Sequence, residues 1–179
     1  MLNKAFKSLA FISLYLSNKM KFIFILFFFL SITAFGNDST KLYNPRANVE
    51  KDVAAALHKA KLEKKHVLLQ IGGNWCVMCY RFNSFIFLDT AIKKLVVDNY
   101  VLYHLNYSNE NKNLAYLKKL NFPQKFGFPV LVVLNADGEL IHTQDSTLLQ
   151  KGNGYDTEKV KAFLRNWSPT PIMEMFYKD

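Results

Sequence analysis

Two short runs limit what this chain can fold into. His66–Ile71 (HVLLQI) and Pro129–Asn135 (PVLVVLN) are only as long as a strand, and within them VLLQI and PVLVVL are apolar at nearly every position. A strand that shows one face to water alternates apolar and polar residues, whereas an unbroken apolar run belongs to a strand covered on both faces. The segments between and around these runs have helical spacing. Val49, Val53, Ala56, Leu57 and Ala60 form one stripe, with Asn48 placed to cap it. Val160, Phe163, Leu164 and Trp167 form another behind Asp156 or Thr157, and Pro169 and Pro171 end it. Helical regions are also expected over Cys76–Leu88, over Ala91–Asp98 behind an Asp89-Thr90 cap, and over Leu114–Leu120. Tyr100–Tyr107, rich in aromatic and β-branched residues, reads as a strand. Asp137-Gly138 marks a hairpin that returns through Glu139–Thr143, and Gly152-Asn153-Gly154 reads as a loop. The order is α-β-α-β-α-β-β-α. Helices between strands imply crossover connections and parallel pairing, and the final hairpin adds an antiparallel strand.

Composition fits such a core. Of 179 residues, 50% are hydrophobic and 21% charged, with 16 phenylalanines, which excludes a largely disordered chain. Two cysteines exclude a scaffold held together by disulfides. The net charge of +9 is unevenly spread: residues 1–36 hold Lys4, Lys7, Lys19 and Lys21 and no acid, leaving 19 basic and 14 acidic residues beyond them. The pairs Lys64-Lys65, Lys93-Lys94 and Lys118-Lys119 fall on or beside helices, as solvated faces do, and no recognition motif accompanies them. A nucleic-acid partner is not expected.

The N-terminus reads as an address. Phe22–Phe35 is apolar apart from Ser31 and Thr33, follows Lys19 and Lys21, and ends in Ala34-Phe35-Gly36, a small-x-small exit. As a helix this run reaches about 21 Å, short of the ~30 Å hydrocarbon core. A secretory signal is expected, and Met20 offers an alternative start that makes residues 1–19 an extension. The alternative is an uncleaved anchor, because Ala5–Leu16 is also apolar; only then is a membrane a partner. No Cys follows the exit, which argues against a lipoprotein. Export, to a periplasm or to the exterior, places the protein where disulfides persist. The expected division is 1–36 extension and signal, 37–47 linker, 48–167 a single domain, and 168–179 tail.

The chemistry is carried by Trp75-Cys76-Val77-Met78-Cys79, a C-x-x-C at a strand-to-helix junction. Cysteines three apart on a first helical turn are close enough to bridge. The first meets the free N–H groups and the positive end of the helix dipole, which favour its thiolate, the nucleophile of disulfide exchange. Cys76 is therefore assigned as the attacking and Cys79 as the resolving thiol. A zinc site needs about four ligands, and His58, His66, His104 and His142 are scattered, so no metal is expected. Haem attachment needs C-x-x-C-H, but Tyr80 follows. A purely structural disulfide would close too small a loop to stabilise much. No cofactor beyond the Cys76–Cys79 pair is expected.

W-C-x-x-C after an apolar strand, Pro129 opening a later apolar strand, and a following Asp-Gly hairpin together resemble the thioredoxin superfamily over residues ~48–167. The insertion Phe85–Asp98 and the Gly-Tyr-Asp before the last helix look most like secreted bacterial thioredoxin-related proteins. The resemblance implies an α/β fold: a three-layer α/β/α sandwich with a central mixed sheet of about four strands and about four flanking helices. It implies a cis Phe128-Pro129 bond beside the cysteines, with that loop offering backbone groups to an extended substrate, and Trp75 as the aromatic that shields the site. Val77 and Met78 then belong to an apolar docking patch with Phe128. The chain departs from the pattern at three positions. Gln70, six residues before Cys76, stands where these proteins usually carry a buried acid; His104 stands for an accompanying Lys, and Tyr80 for the Lys after the motif. Gln cannot take a proton at neutral pH, so His104 is a candidate acceptor. The absence of Pro and His between the cysteines leans toward a reductase or mild isomerase.

The expected function is an exported thiol–disulfide oxidoreductase that reduces or isomerises disulfides in protein substrates and exchanges electrons with a further donor or acceptor. The alternative is a binding module of the same fold with a permanently closed Cys76–Cys79 bond. A monomer is expected.

Overall fold

The computed structural model describes residues 41–169. The signal-like segment, Met20 and Pro171 lie outside the described residues. Within them the chain forms α1 (Val49–Glu63), β1 (His66–Gly72), α2 (Val77–Leu88), α3 (Thr90–Asn99), β2 (Tyr100–Asn106), α4 (Leu114–Lys119), β3 (Val130–Leu134), β4 (Leu140–Asp145), β5 (Gln150–Lys151), β6 (Gly154–Tyr155) and α5 (Thr157–Asn166).

Three of the helices start where side-chain oxygens can replace missing backbone partners. Asn48 accepts from Lys51 N–H, Asp89 from Ala91 and Ile92, and Asp156 from Glu158 and Lys159. Four strands form one mixed sheet in the order β2-β1-β3-β4. The alternation of side chains along the central strands divides the core in two. Val67, Leu69, Ile71, Val130, Val132 and Leu134 pack against α1 and α4. Leu68, Leu131 and Val133 face the other way, against α2, α3 and α5. This is the three-layer α/β/α sandwich of the thioredoxin fold.

One expectation needs correction. β1 and β2 are parallel, but β3 pairs antiparallel with β1 although a helix separates β2 from β3. The reason is length. α4 has six residues, about 9 Å of rise, against about 23 Å for the seven residues of β2. The segment stays at the end of the sheet where β2 finishes, so Val130 enters opposite Ile71 and the chain runs back. Two further features were not expected: the loop around Gly152-Asn153 closes the small β5–β6 hairpin, and Pro123–Phe126 and Ser146–Leu149 are single 3-10 turns.

The segment expected to be a linker is not loose where it is described. Tyr43 is 1% exposed and packs with Cys76 and Cys79. Beyond the domain boundary expected at residue 167, Ser168 is also buried.

Candidate active site

The site lies where β1 ends and α2 begins. Gly72 closes the strand, Gly73 C=O accepts from Cys76 N–H at 2.9 Å, and Cys76 becomes the cap of α2 in an extended conformation. Its Sγ accepts from Cys79 N–H at 3.2 Å. The sulfur thus occupies the place of a capping oxygen, at the helix end where unpaired N–H groups stabilise negative charge. Cys76 and Cys79 are joined in a disulfide, with Cα atoms 5.3 Å apart. Cys79 is fully buried and Cys76 is 4% exposed. A reagent reaches the pair from the Cys76 side.

Gly72 is required by close approach. A Cβ built on it would collide with Cys79 Sγ and stand 2.8 Å from the Tyr43 hydroxyl oxygen. The phenol oxygen and the inner sulfur therefore both lie close against Gly72.

Gln70 is fully buried beneath the pair, on the α2 face of β1. Its Nε2 donates to Cys79 C=O at 3.0 Å and to Tyr43 Oη at 2.9 Å, and its Oε1 has no partner among the described residues. Among the described residues, the buried side chains of Gln70, Asn106, Ser108, Ser146 and Ser168 are polar without being ionisable. His104 is the register partner of Gln70 on β2, but no hydrogen bond joins it to Gln70 or to Cys79. Its Nε2 lies 3.1 Å from Asn83 Oδ1, and its ring meets the Tyr43 ring edge-on with centroids 5.6 Å apart. Burial pushes the His104 imidazole down to about 4. At neutral pH it is an uncharged and weak base, which does not favour the acceptor role considered above.

The outer rim is aromatic. Trp75 is 56% exposed and donates from Nε1 to Tyr107 C=O at 2.9 Å. Phe128 meets Trp75 edge-on at 5.3 Å and Tyr107 at 4.9 Å, and packs with Leu42 and Met78 against the cysteines. The Phe128–Pro129 peptide is cis, and Pro129 is buried at the head of β3. Val77, the first residue of α2, is 63% exposed. Cys76, Cys79, Trp75, Met78, Phe128 and Gln70 thus converge, while His104, beside Gln70 on the next strand, contacts Tyr43 and Asn83 rather than the cysteines.

Two residues of the site, Tyr43 and Asn74, were not singled out by the sequence. Tyr43 sits in a polar stretch, marked only by the apolar pair Leu42-Tyr43. Asn74 accepts from Tyr43 N–H and Tyr80 O–H and donates to Tyr43 C=O. Tyr80 in turn accepts from Leu42 N–H. Tyr155 donates to Met78 C=O at 3.2 Å. No group of three or more His, Cys, Asp and Glu suited to a metal is found among the described residues. Nor is any described helix long and apolar enough to cross a membrane.

Residues 48–136 match the model of a domain family described as thioredoxin-like. The thiol:disulfide interchange protein DsbD of Escherichia coli O6:H1 is 28% identical over 115 residues, 63% of this chain and 19% of that protein. The DsbD of Shigella flexneri serotype 5b gives the same identity over the same coverage. The chain therefore spans about a fifth of the length of the curated relatives it matches. A disulphide isomerase from Xylella fastidiosa Temecula1 superposes with a TM-score of 0.60 at 24% identity, over 69% of this chain and 93% of that one.

Proposed function

This chain belongs to the thioredoxin superfamily, and from that membership we propose that it is an exported thiol–disulfide oxidoreductase acting on disulfides of other proteins. The observation that carries the reading is the placement of Cys76 Sγ at the cap of α2, accepting from Cys79 N–H at 3.2 Å. A sulfur so held is stabilised as a thiolate, the form that attacks disulfides. The likeness to thiol:disulfide interchange proteins supports the same chemistry.

In the reductive direction the Cys76 thiolate attacks one sulfur of the substrate disulfide. A mixed disulfide forms and the other substrate sulfur departs as a thiolate, which takes up a proton. Cys79 then loses its proton and attacks Cys76 Sγ. The mixed disulfide breaks, the second substrate thiol leaves, and the Cys76–Cys79 bond of this structure is formed. Two electrons pass to the substrate, and a donor yet to be identified returns them. Trp75, Val77, Met78 and Phe128 give the rim an apolar character suited to an extended segment, with the Phe128–Pro129 loop beside it. Location outside the cytoplasm rests on the Lys-flanked apolar run before Gly36.

Active-site variants test the reading. Cys76→Ser should lose all disulfide reductase activity, and Cys79→Ser should accumulate mixed disulfides through Cys76, visible by mass spectrometry. The reduction potential then sets the direction: roughly −270 mV marks a reductase and roughly −120 mV an oxidant. A pair that is reduced by dithiothreitol without turning over, together with a Cys79→Ser variant that traps nothing, would leave the binding-module reading instead.

A further inference from the structure

The resolving step has a difficulty that the reaction scheme leaves open. Cys79 must become a thiolate while fully buried, and burial in apolar surroundings opposes that charge. The position beneath it holds Gln70, which supplies neither a base nor a charge. Something else must favour the buried thiolate.

The hydrogen bonds point to one group. The Cys79 carbonyl can only accept, so the side-chain atom of Gln70 that faces it at 3.0 Å must be the amide nitrogen. The same nitrogen faces Tyr43 Oη at 2.9 Å, so there the phenol is the acceptor. Its own proton must point elsewhere. In the disulfide state that proton has no acceptor among the described residues, and the hydroxyl and Cys79 Sγ lie against the same glycine, Gly72. Asn74 holds the Tyr43 backbone at both its N–H and C=O, which fixes the ring in this place. Burial pushes the Tyr43 hydroxyl well above the ordinary phenol value, so it keeps its proton and remains a donor throughout the working range.

We propose that Tyr43, oriented by Gln70, donates its hydroxyl proton in a hydrogen bond to the Cys79 thiolate and thereby promotes resolution of the mixed disulfide. The phenol supplies a fixed donor to a charge that exists only during that step. The proposal rests on the oxidoreductase reading above. The other ionisable groups around Tyr43 do not supply the charge. Burial pushes Tyr155 up to about 12 and His104 down to about 4, so both are neutral at pH 7. Tyr80 is engaged with Asn74, and Arg81 turns away to Asn153 C=O at 3.0 Å. Cys76 is in the mixed disulfide at that moment and carries no charge.

Tyr43→Phe removes only the hydroxyl. A hydrogen bond to a charged group corresponds to about one pH unit or more in the thiol equilibrium. The thiolate fraction at neutral pH then falls about tenfold, and the greater nucleophilicity of the more basic thiolate restores about threefold. Resolution should slow by about threefold below the Cys79 titration and quicken by a similar factor above it. The experiment is stopped-flow mixing of the reduced full chain with dithiobis-nitrobenzoate across pH. The first equivalent of thionitrobenzoate reports attack by Cys76, and the second reports resolution by Cys79. Crossing pH profiles for wild type and Tyr43→Phe are expected. Superimposable profiles, or slowing by one factor at every pH, would overturn the proposal. Thiolate absorbance gives an independent measure. The titration of Cys79 should lie at least about one pH unit higher in Cys76→Ser/Tyr43→Phe than in Cys76→Ser, and equal midpoints would also overturn it. A wild type that releases no second equivalent would refute the oxidoreductase reading itself, while the Cys79 titration would still decide the role of Tyr43.

Discussion

Asn74 holds both backbone polar groups of Tyr43: its Oδ1 accepts from Tyr43 N–H at 2.9 Å and its Nδ2 donates to Tyr43 C=O at 2.8 Å. A residue from the turn before the redox motif thereby fastens the segment that precedes the first helix. Asn74→Ala should cost about 1–3 kcal/mol, since two backbone groups and the Tyr80 hydroxyl lose their partner. Its distinctive effect should be local. Exchange of the Tyr43 amide should quicken far more than that of the β1 amides, a contrast that hydrogen exchange resolves directly. Equal acceleration across the domain would mean that Asn74 does not fasten this segment.

Gly72→Ala should destabilise the oxidised protein. The added methyl meets Cys79 Sγ and Tyr43 Oη, and both belong to a packed cluster that cannot step aside cheaply. Overpacking of this kind costs about 1–3 kcal/mol. Urea denaturation of the oxidised form should show the midpoint falling; an unchanged midpoint would show that the site yields easily.

His104 gives the fold a pH dependence of known sign. Burial holds its folded value at about 4, below the ~6.5 of an exposed imidazole. The unfolded chain therefore binds more protons between these values, and stability falls as pH drops from about 6.5 toward about 4. One group contributes at most about 1.4 kcal/mol per pH unit. His104→Gln should flatten that part of the curve of thermal midpoint against pH. A variant curve parallel to the wild type would assign the dependence to other groups.

Gln70→Glu should reverse the slope. The variant loses the donor to Cys79 C=O and places a carboxyl in a fully buried position. Desolvation raises its folded value above the ordinary ~4.3. Stability then falls as pH rises through the unfolded value, again by at most about 1.4 kcal/mol per unit until the buried group ionises. The same carboxyl could serve as a base for Cys79, so a new step near neutral pH is expected in the rate of mixed-disulfide resolution. Resolution profiles and melting curves that match wild type would show that position 70 does not reach the resolving thiol.

Much of this architecture is written locally. HVLLQI and PVLVVLN announce covered strands because both faces must be apolar, and Asn48, Asp89 and Asp156 announce helix starts because their oxygens fit a known shortage of partners. Cys76 and Cys79 were legible for the same reason, as a pair whose spacing matches one helical turn. The direction of β3 was not, since it depends on how far α4 carries the chain and no residue type encodes that. Tyr43 was hidden in another way. It reaches the site over 33 residues of chain from Cys76, and a lone aromatic in a polar stretch looks the same whether it packs or dangles. Gln70 was visible as a departure from the pattern, but its meaning lay in two acceptors that only the folded chain brings to it.

The first turn of α2 is held from both directions of the chain. Leu42 and Tyr43 reach it through Tyr80 and Asn74, while Tyr155 and the Asn153 carbonyl reach it through Met78 C=O and Arg81. The cysteine pair is thus not a mobile appendage on a rigid sheet. Segments before and after the motif in sequence both hydrogen-bond to the turn that carries it. On the proposed oxidoreductase reading, these ties are what position Cys76 for the next disulfide.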